Sequence, residues 1–188
     1  SYAEEALDAF AKYAQAFPNE PKIQDYILSI LLSSERYDEA LARLRARSAQ
    51  NPGDKANNLA IATVLIRAGR LDEALAYVKS LGARADSMAH YTVGVACFEK
   101  VRNDKEQLIS PEQRMVIVDA GIEQLRKSVA MTPDSFDSLV YLNLVLRQKA
   151  RLEVDPVVQQ ALIAEAVTLQ DKARAIAAAR KAKEAAAS

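Results

Sequence analysis

The chain has 188 residues, and its 25 basic residues are balanced by 25 acidic ones. That neutrality argues against a protein built mainly to bind nucleic acid or an anionic membrane. Half of the residues are hydrophobic and only 5 glycines and 6 prolines are present, so helices should dominate. The lone cysteine, Cys97, cannot form an internal disulfide, so the cysteine count does not indicate whether the protein is intracellular or secreted. No apolar run approaches the ~20 residues that span a bilayer.

The first predicted helix runs from Tyr2 to Phe17 and carries Leu7, Phe10 and Tyr13. No earlier helix in the sequence covers these apolar side chains. No signal peptide is recognised, and the first residue is a serine where a methionine would be expected. We therefore expect a chain that was processed, trimmed or cut from a longer array.

Nearly the same nine residues occur twice in the next part of the chain. The stretch RYDEALARL covers residues 36–44, and RLDEALAYV covers residues 70–78, which lie 34 positions later. A fainter copy, AEEALDAF, covers residues 3–10, and Pro18 and Pro52 are also 34 positions apart. A fixed period of this length indicates a repeat architecture.

The unit of helix, turn, helix and proline resembles the tetratricopeptide repeat, whose motif combines small residues at the helix crossing with bulky apolar residues around it. The signature tryptophan of that family is absent from this sequence. The matching residues are Leu31, Tyr37, Ala40, Leu44 and Pro52, then Ile61, Ala62, Leu65, Gly69, Ala74 and Val78, then Tyr91, Val93, Gly94, Gly121, Leu125 and Pro133, and finally Leu139, Leu142 and Leu146.

The resemblance implies an all-α fold, a right-handed superhelical solenoid of antiparallel helix pairs with about four and a half repeats and two insertions. Such pairs stack because one pair alone cannot bury its apolar face. Ala40 and Ala74 are expected where two helices of a pair cross. A single domain, 1–188, is expected to contain a half repeat at 1–18 and repeats at 21–54, 55–86, 87–135 and 136–188.

Two insertions interrupt the period, around VRNDKEQLISPEQRMVIV and QKARLEVDPVVQQ. Each contains a helix start: Ser110 with Gln113 three residues later forms a capping box, and Asp155 precedes a proline. The insertions are therefore predicted to lengthen helices, and the last helix to run from Pro156 to near Ala187. The basic residues near its end suit the negative end of a helix dipole better than a membrane surface or an acidic partner.

No catalytic constellation stands out. The sequence contains no nucleotide-binding glycine loop, nucleophile elbow or paired cysteine motif. The single histidine, His90, lies seven residues before Cys97, on the same helix face but about 10 Å away. We expect both in the core and predict no enzyme activity, no cofactor and no metal site.

The family resemblance implies a concave groove lined by first-helix side chains. The chaperone-tail clamp of this family is missing, because Asp25, Ser29, Leu59 and Thr63 stand where lysine and asparagine are needed. An apolar strip remains, with two arginines near its edges. The predicted partner-binding residues are Leu32, Leu59, Ile66, Arg67, Met88, Tyr91, Val95, Phe98, Val140, Leu144 and Arg147.

Two outcomes for this strip are left open. A helix or extended peptide of a partner protein binds it, with Tyr91 and Phe98 as anchors. Alternatively, the insertions or the last helix of the chain fill it. The first outcome makes the protein a non-enzymatic interaction scaffold that binds protein, not nucleic acid, and does not insert into membranes.

A structural subunit is the alternative function. Such a subunit would self-associate head to tail into a filament or ring. The predicted contacts join Leu7, Phe10 and Tyr13 to Leu162, Val167 and Leu169 of another copy. A weaker similarity to bacterial cell-envelope repeat proteins, through the segment YLNLVLRQKARLEVDP, favours an envelope or secreted location.

We predict that a thiol reagent labels Cys97 only after denaturant is added, since a cysteine in a helix core is shielded from solvent. The measurement is the labelling rate in native buffer and in denaturant. Fast labelling of the native protein would indicate a reactive thiol and contradict the core assignment.

Overall fold

A computed structural model describes residues 2–17 and 21–187, and within those ranges the chain forms α-helices and no β-strand. The all-α fold expected from the sequence is confirmed. Pro18, one of the repeat prolines, lies outside the described residues. The helices are α1 Tyr2–Ala16, α2 Pro21–Ser33, α3 Tyr37–Gln50, α4 Lys55–Arg67, α5 Leu71–Leu81, α6 Ser87–Arg102, α7 Pro111–Met131, α8 Phe136–Leu152 and α9 Pro156–Ala186.

Helices α2, α4, α6 and α8 begin at residues 21, 55, 87 and 136, from which the sequence counts its repeats. Side-chain caps fix three of these starts, because an oxygen before the helix accepts an otherwise unpaired N–H. Asp54 accepts from the N–H of Asn57 at 3.0 Å. Asp86 caps α6 and Ser135 caps α8 in the same way.

The chain divides into two compact units, Ser1–Ala74 and Leu75–Ser188. In the first unit, α1 packs on α2, α2 on α3 and α3 on α4, as expected for consecutive antiparallel helices. Its core contains Ile27, Leu31, Ala40, Leu41, Leu44, Ile61, Ala62 and Leu65. The single domain expected from the sequence stays a prediction.

In the second unit, α6 packs on α7, α7 on α8, and α8 on α9, and α6 also contacts α8. The core at the centre of these helices contains Phe98, Val101, Val118, Ile122, Leu125, Leu142, Val145, Leu146 and Ala166.

The repeated RYDEALARL and RLDEALAYV stretches begin at matching turns of the first unit. Glu35 and Gly69, 34 positions apart, both have a left-handed backbone, with φ of 57° and 75°. The following residue then returns an N–H to the preceding helix, as Arg70 does to the carbonyl of Leu65 at 2.9 Å. The arginine side chain also pairs with the glutamate three residues later, Arg70 with Glu73 at 2.6 Å. The turn therefore explains why the arginine that opens each copy of the repeated stretch recurs with the glutamate three residues later.

Helices α6 and α7 approach each other through two glycines. A Cβ added to Gly94 would lie 2.6 Å from Cγ of Leu125, and one added to Gly121 would lie 2.9 Å from Cβ of Cys97. Real atoms do not approach so closely, so these helices can pack at this distance only because both positions lack a side chain. The family resemblance had matched both glycines to positions of the repeat motif.

The first insertion does not only lengthen helices. The capping box of Ser110 and Gln113 starts α7 as predicted, but residues 103–110 form an irregular connection. The buried carboxylate of Asp104 holds this connection, accepting the N–H of Leu108 at 2.9 Å and pairing with Arg114. The irregular part of the second insertion is shorter, covering only residues 153–155 between α8 and α9. Helix α9 ends at Ala186, close to the predicted end.

Replacing Gly121 with alanine should lower the free energy of unfolding by about 1–3 kcal/mol, because the new methyl group meets a Cβ that cannot rotate away. The measurement is urea unfolding followed by circular dichroism. The matched control is Gly53→Ala, where the nearest atom to the new methyl is 3.8 Å away. Equal stability of the two variants would contradict the close crossing.

Replacing Asp104 with asparagine should destabilise the protein at neutral pH and less so in acid. Burial acts to raise the pKa of Asp104, but the N–H groups of Ile109 and Leu108 and the charge of Arg114 outweigh it and lower the pKa. The stabilisation is therefore present above the usual carboxyl pKa of about 3.9 and is lost as pH falls through the folded pKa.

Urea midpoints of wild type and D104N at pH 7 and pH 3 test this prediction. The gap between the two proteins should be wider at pH 7. Glu106→Gln is the control, since Glu106 is exposed in the same connection. A gap that is independent of pH, or equal in E106Q, would show that the Asp104 carboxylate does not hold the connection.

Candidate partner-binding surfaces

A shallow depression of about 260 Å³ lies between α2 and α4 in the first unit. Three predicted groove residues, Leu32, Leu59 and Arg67, line it together. Ile66, also predicted, is half-buried and is not part of this lining. The remaining lining residues are Leu28, Ala56, Ala60, Thr63 and Val64.

The depression is apolar and offers few hydrogen-bonding groups. The hydroxyl of Thr63 donates to the carbonyl of Leu59 in its own helix at 2.9 Å. Arg67 is exposed at the edge and forms no ion pair with any residue that the structure describes. The floor therefore suits an apolar side chain, and the edge suits a carboxylate or a carbonyl.

The predicted aromatic anchors of the second unit pack against their own chain. The ring of Tyr141 lies edge-on to Tyr91 at 5.7 Å and to Phe98 at 5.8 Å between centroids. Phe98 is only 9% exposed and belongs to the core. Burial, aided by the nearby Asp137 carboxylate and Tyr141, raises the pKa of Tyr91, so its phenol stays neutral. An anchor role for the Tyr91–Phe98 pair stays a prediction.

The other predicted groove residues of the second unit differ in exposure. Met88 is 51% exposed at the start of α6, whereas Val95, Val140 and Leu144 are half-buried. Arg147 donates to Oδ1 of Asn143 at 2.8 Å and to Oε1 of Gln170 at 3.2 Å. It has no carboxylate partner among the described residues, so its positive charge is not neutralised by an adjacent acid.

A cleft of about 360 Å³ lies among α6, α7 and α8 in the second unit. Three predicted groove residues, Phe98, Leu144 and Arg147, line it. The position pattern of the repeat did not identify its other lining residues, which are Val101, Arg102, Arg114, Gln148, Arg151 and Leu152. All six lie in the two insertion segments, and the groove positions were chosen by counting along the repeat motif, which has no equivalent of these segments.

His90 and Cys97 are both buried, as expected. Nδ1 of His90 lies 2.7 Å from Oε1 of Gln124 on α7, a hydrogen bond that joins the two helices. Cys97 packs at the α6–α7 crossing beside Gly121. Within residues 2–17 and 21–187, no group of three or more histidine, cysteine, aspartate or glutamate side chains could hold a metal ion.

The predicted self-association residues also differ in exposure. On α1, which buries none of its residues, Phe10 stacks on Tyr26 at 5.7 Å and Tyr13 lies 4.6 Å from Phe17 between ring centroids. Leu7 is half-buried. Leu162 and Leu169 pack against the core of the second unit, and Val167 is 41% exposed.

No helix in the described part of the chain combines the length and the apolar character needed to cross a bilayer.

Three comparisons relate this architecture to known proteins. A family model described as "Tetratricopeptide repeat" matches residues 31–91. No curated protein sequence matches the chain at a significant level.

Two similar solved structures extend over most of the chain. One, "MamA 41-end from Desulfovibrio magneticus RS-1", is 18% identical, covers 92% of this chain and 86% of its own, and has a TM-score of 0.56. Another, titled "Crystal structure of MamA", is 15% identical, covers 96% of this chain and 91% of its own, and has a TM-score of 0.61. At these identities the likeness concerns the fold. With the family match over residues 31–91, it confirms the resemblance to the tetratricopeptide repeat that was drawn from the sequence.

Proposed function

We propose that the chain is a non-enzymatic interaction scaffold that binds an apolar helix or extended peptide of a partner protein in the depression between α2 and α4. The observation that carries the proposal is the convergence of Leu32, Leu59 and Arg67 on one shallow apolar surface. Helix-in-groove recognition uses this combination, since apolar side chains of the ligand fill the floor and its polar face meets the edge.

The physical gain comes from the half-exposed leucines. Leu28, Leu32 and Leu59 are each only partly covered in the first unit. Burying a leucine side chain completely is worth about 1.5–3 kcal/mol relative to full exposure. A partner that covers these three side chains would therefore gain enough free energy to bind at a shallow surface.

Two observations support a non-enzymatic function. The only histidine and the only cysteine are both buried in helix packing, with the His90 ring bonded to Gln124. A nucleophile and its base need to reach each other and a substrate. The described surfaces offer apolar and basic side chains instead, which suits binding better than general acid–base chemistry.

Head-to-tail self-association is the second candidate function. It is favoured by the exposed aromatic side chains of the first unit, since Tyr13 is 47% exposed and Tyr26 is 57% exposed. The α9 side of the predicted contact is weaker, because Leu162 and Leu169 already pack within their own unit. Val167 supplies the exposed apolar contact there.

The test of the scaffold function is site-specific photo-crosslinking in the native cell. A photo-reactive amino acid in place of Leu59 should capture a protein partner, identified by mass spectrometry. The control position is Ala46, which is exposed on α3 of the same unit. Equal capture from both positions would show that the depression is not the binding surface.

A charge substitution then measures the contribution of the floor. Leu59→Glu should weaken binding of the captured partner by about 30-fold, which corresponds to the roughly 2 kcal/mol of a hot-spot residue. Ala46→Glu adds the same charge outside the depression and should leave affinity unchanged. Circular dichroism of both variants checks that the helices remain folded. Unchanged affinity in L59E would contradict the proposal.

A further inference from the structure

The two insertions of the repeat pattern converge on one place. The first extends the end of α6 and the start of α7, and the second extends the end of α8. These extensions supply Val101, Arg102 and Arg114 on one side of the cleft and Gln148, Arg151 and Leu152 on the other. The cleft therefore lies mainly in the added segments.

The cleft has an apolar floor and a wholly basic set of charged side chains. Phe98, Val101, Leu144 and Leu152 provide the apolar part of the lining. The four charged residues are all arginines: Arg102, Arg114, Arg147 and Arg151.

Two of these arginines already have acidic partners in the chain. Arg102 pairs with Glu99 at 2.9 Å, and Arg114 pairs with the buried carboxylate of Asp104. Arg147 is held only by the side-chain amides of Asn143 and Gln170. Arg151 is exposed and, in the described part of the chain, has no acidic partner. Two guanidinium groups beside an apolar floor thus remain available to a carboxylate.

A buried acceptor in the same cleft also lacks a partner. The amide nitrogen of Gln148 donates to the carbonyl of Phe98 at 3.4 Å, while its Oε1 is buried and accepts no hydrogen bond from the described residues. An unsatisfied buried acceptor is costly, and a donor from a bound ligand would remove that cost. A peptide carries such donors on its backbone.

We propose that this cleft, which we term the arginine cleft, binds an acidic peptide segment of a partner protein in which aspartate or glutamate alternates with leucine or phenylalanine. Its carboxylates pair with Arg147 and Arg151, and its apolar side chains cover Leu144 and Leu152. A backbone N–H of the segment donates to Gln148. This site shares no lining residue with the α2–α4 depression, and its variants leave the residues of that depression unchanged.

The lining favours a peptide over a nucleic acid. Single-stranded nucleic acid binds where exposed aromatic rings stack on bases beside a basic groove. The one aromatic residue of this cleft, Phe98, is 9% exposed, and its ring is already covered by Arg102 at 5.8 Å. Two of the four arginines are neutralised within the chain, which leaves too little free charge to follow a phosphate backbone.

The experiment is a selection of random displayed peptides on the full chain, followed by counter-selection on a variant with Arg147→Ala and Arg151→Ala. We expect enriched peptides that combine acidic and bulky apolar residues and that are lost on the variant. A selected peptide, labelled with fluorescein, should bind the double variant about tenfold more weakly, and its glutamine-substituted version should bind the wild type equally weakly.

The matched control removes two positive charges elsewhere on the second unit, through Lys181→Ala and Lys183→Ala, and should leave peptide affinity unchanged. Arg151→Glu alone is the second variant. Because Arg151 has no acidic partner among the described residues, this replacement should leave the thermal unfolding curve unchanged while weakening binding. Higher salt should weaken binding to the wild type more than to the double variant.

Three results would overturn the proposal. Selected peptides without acidic residues, or peptides that bind the double variant as well as the wild type, would place binding outside the arginine cleft. A labelled random single-stranded oligonucleotide that binds the wild type and is lost on R151E would assign the cleft to nucleic acid. If no peptide binds the arginine cleft but the photo-reactive residue at position 59 still captures a partner, the proposed scaffold function is unaffected.

Discussion

The close crossing of α6 and α7 is the constraint on which the second unit depends. Because Gly94 and Gly121 have no side chains, the two helices can approach until Leu125 and Cys97 fill the contact. The serine at the start of α6 then reaches α7, where the Ser87 hydroxyl donates to the carbonyl of Ser128 at 3.1 Å. At the other end of the pair, Asp104 holds the connection between the helices and pairs with Arg114, which lines the arginine cleft.

The sequence predicts the frame of this fold well because the frame is set by local, periodic rules. The 34-residue spacing places the starts of α2 and α4, and the structure adds that Asp54 and Ser135 cap α4 and α8. Small residues mark the crossings, and Ala40 is completely buried where it was expected. Glu35 is an exception, since its left-handed backbone at the position of Gly69 was not foreseen. The hydrogen bonds of the turn impose that conformation on a residue that does not favour it.

The candidate sites were only partly predictable, because exposure depends on contacts between distant segments. Counting repeat positions identified Leu32, Leu59 and Arg67, which do converge on one surface. The same counting could not show that Tyr141 would pack against Phe98, 43 residues earlier in the chain. It also passed over Arg114 and Arg151, since insertions have no equivalent positions in the repeat.

The charges of the two units show how packing and binding requirements differ. Arg70 pairs with Asp38 and Glu73, so its charge serves a turn that the fold needs. A helix that only needed solubility could place Arg147 beside an acid on the next turn, as Lys149 is placed beside Glu153. Instead, Arg147 and Arg151 face an apolar cleft without a carboxylate from the described chain. The contacts that Arg147 makes within α8 and to α9 use only neutral amides, and an acidic ligand would supply the carboxylate that the described chain does not.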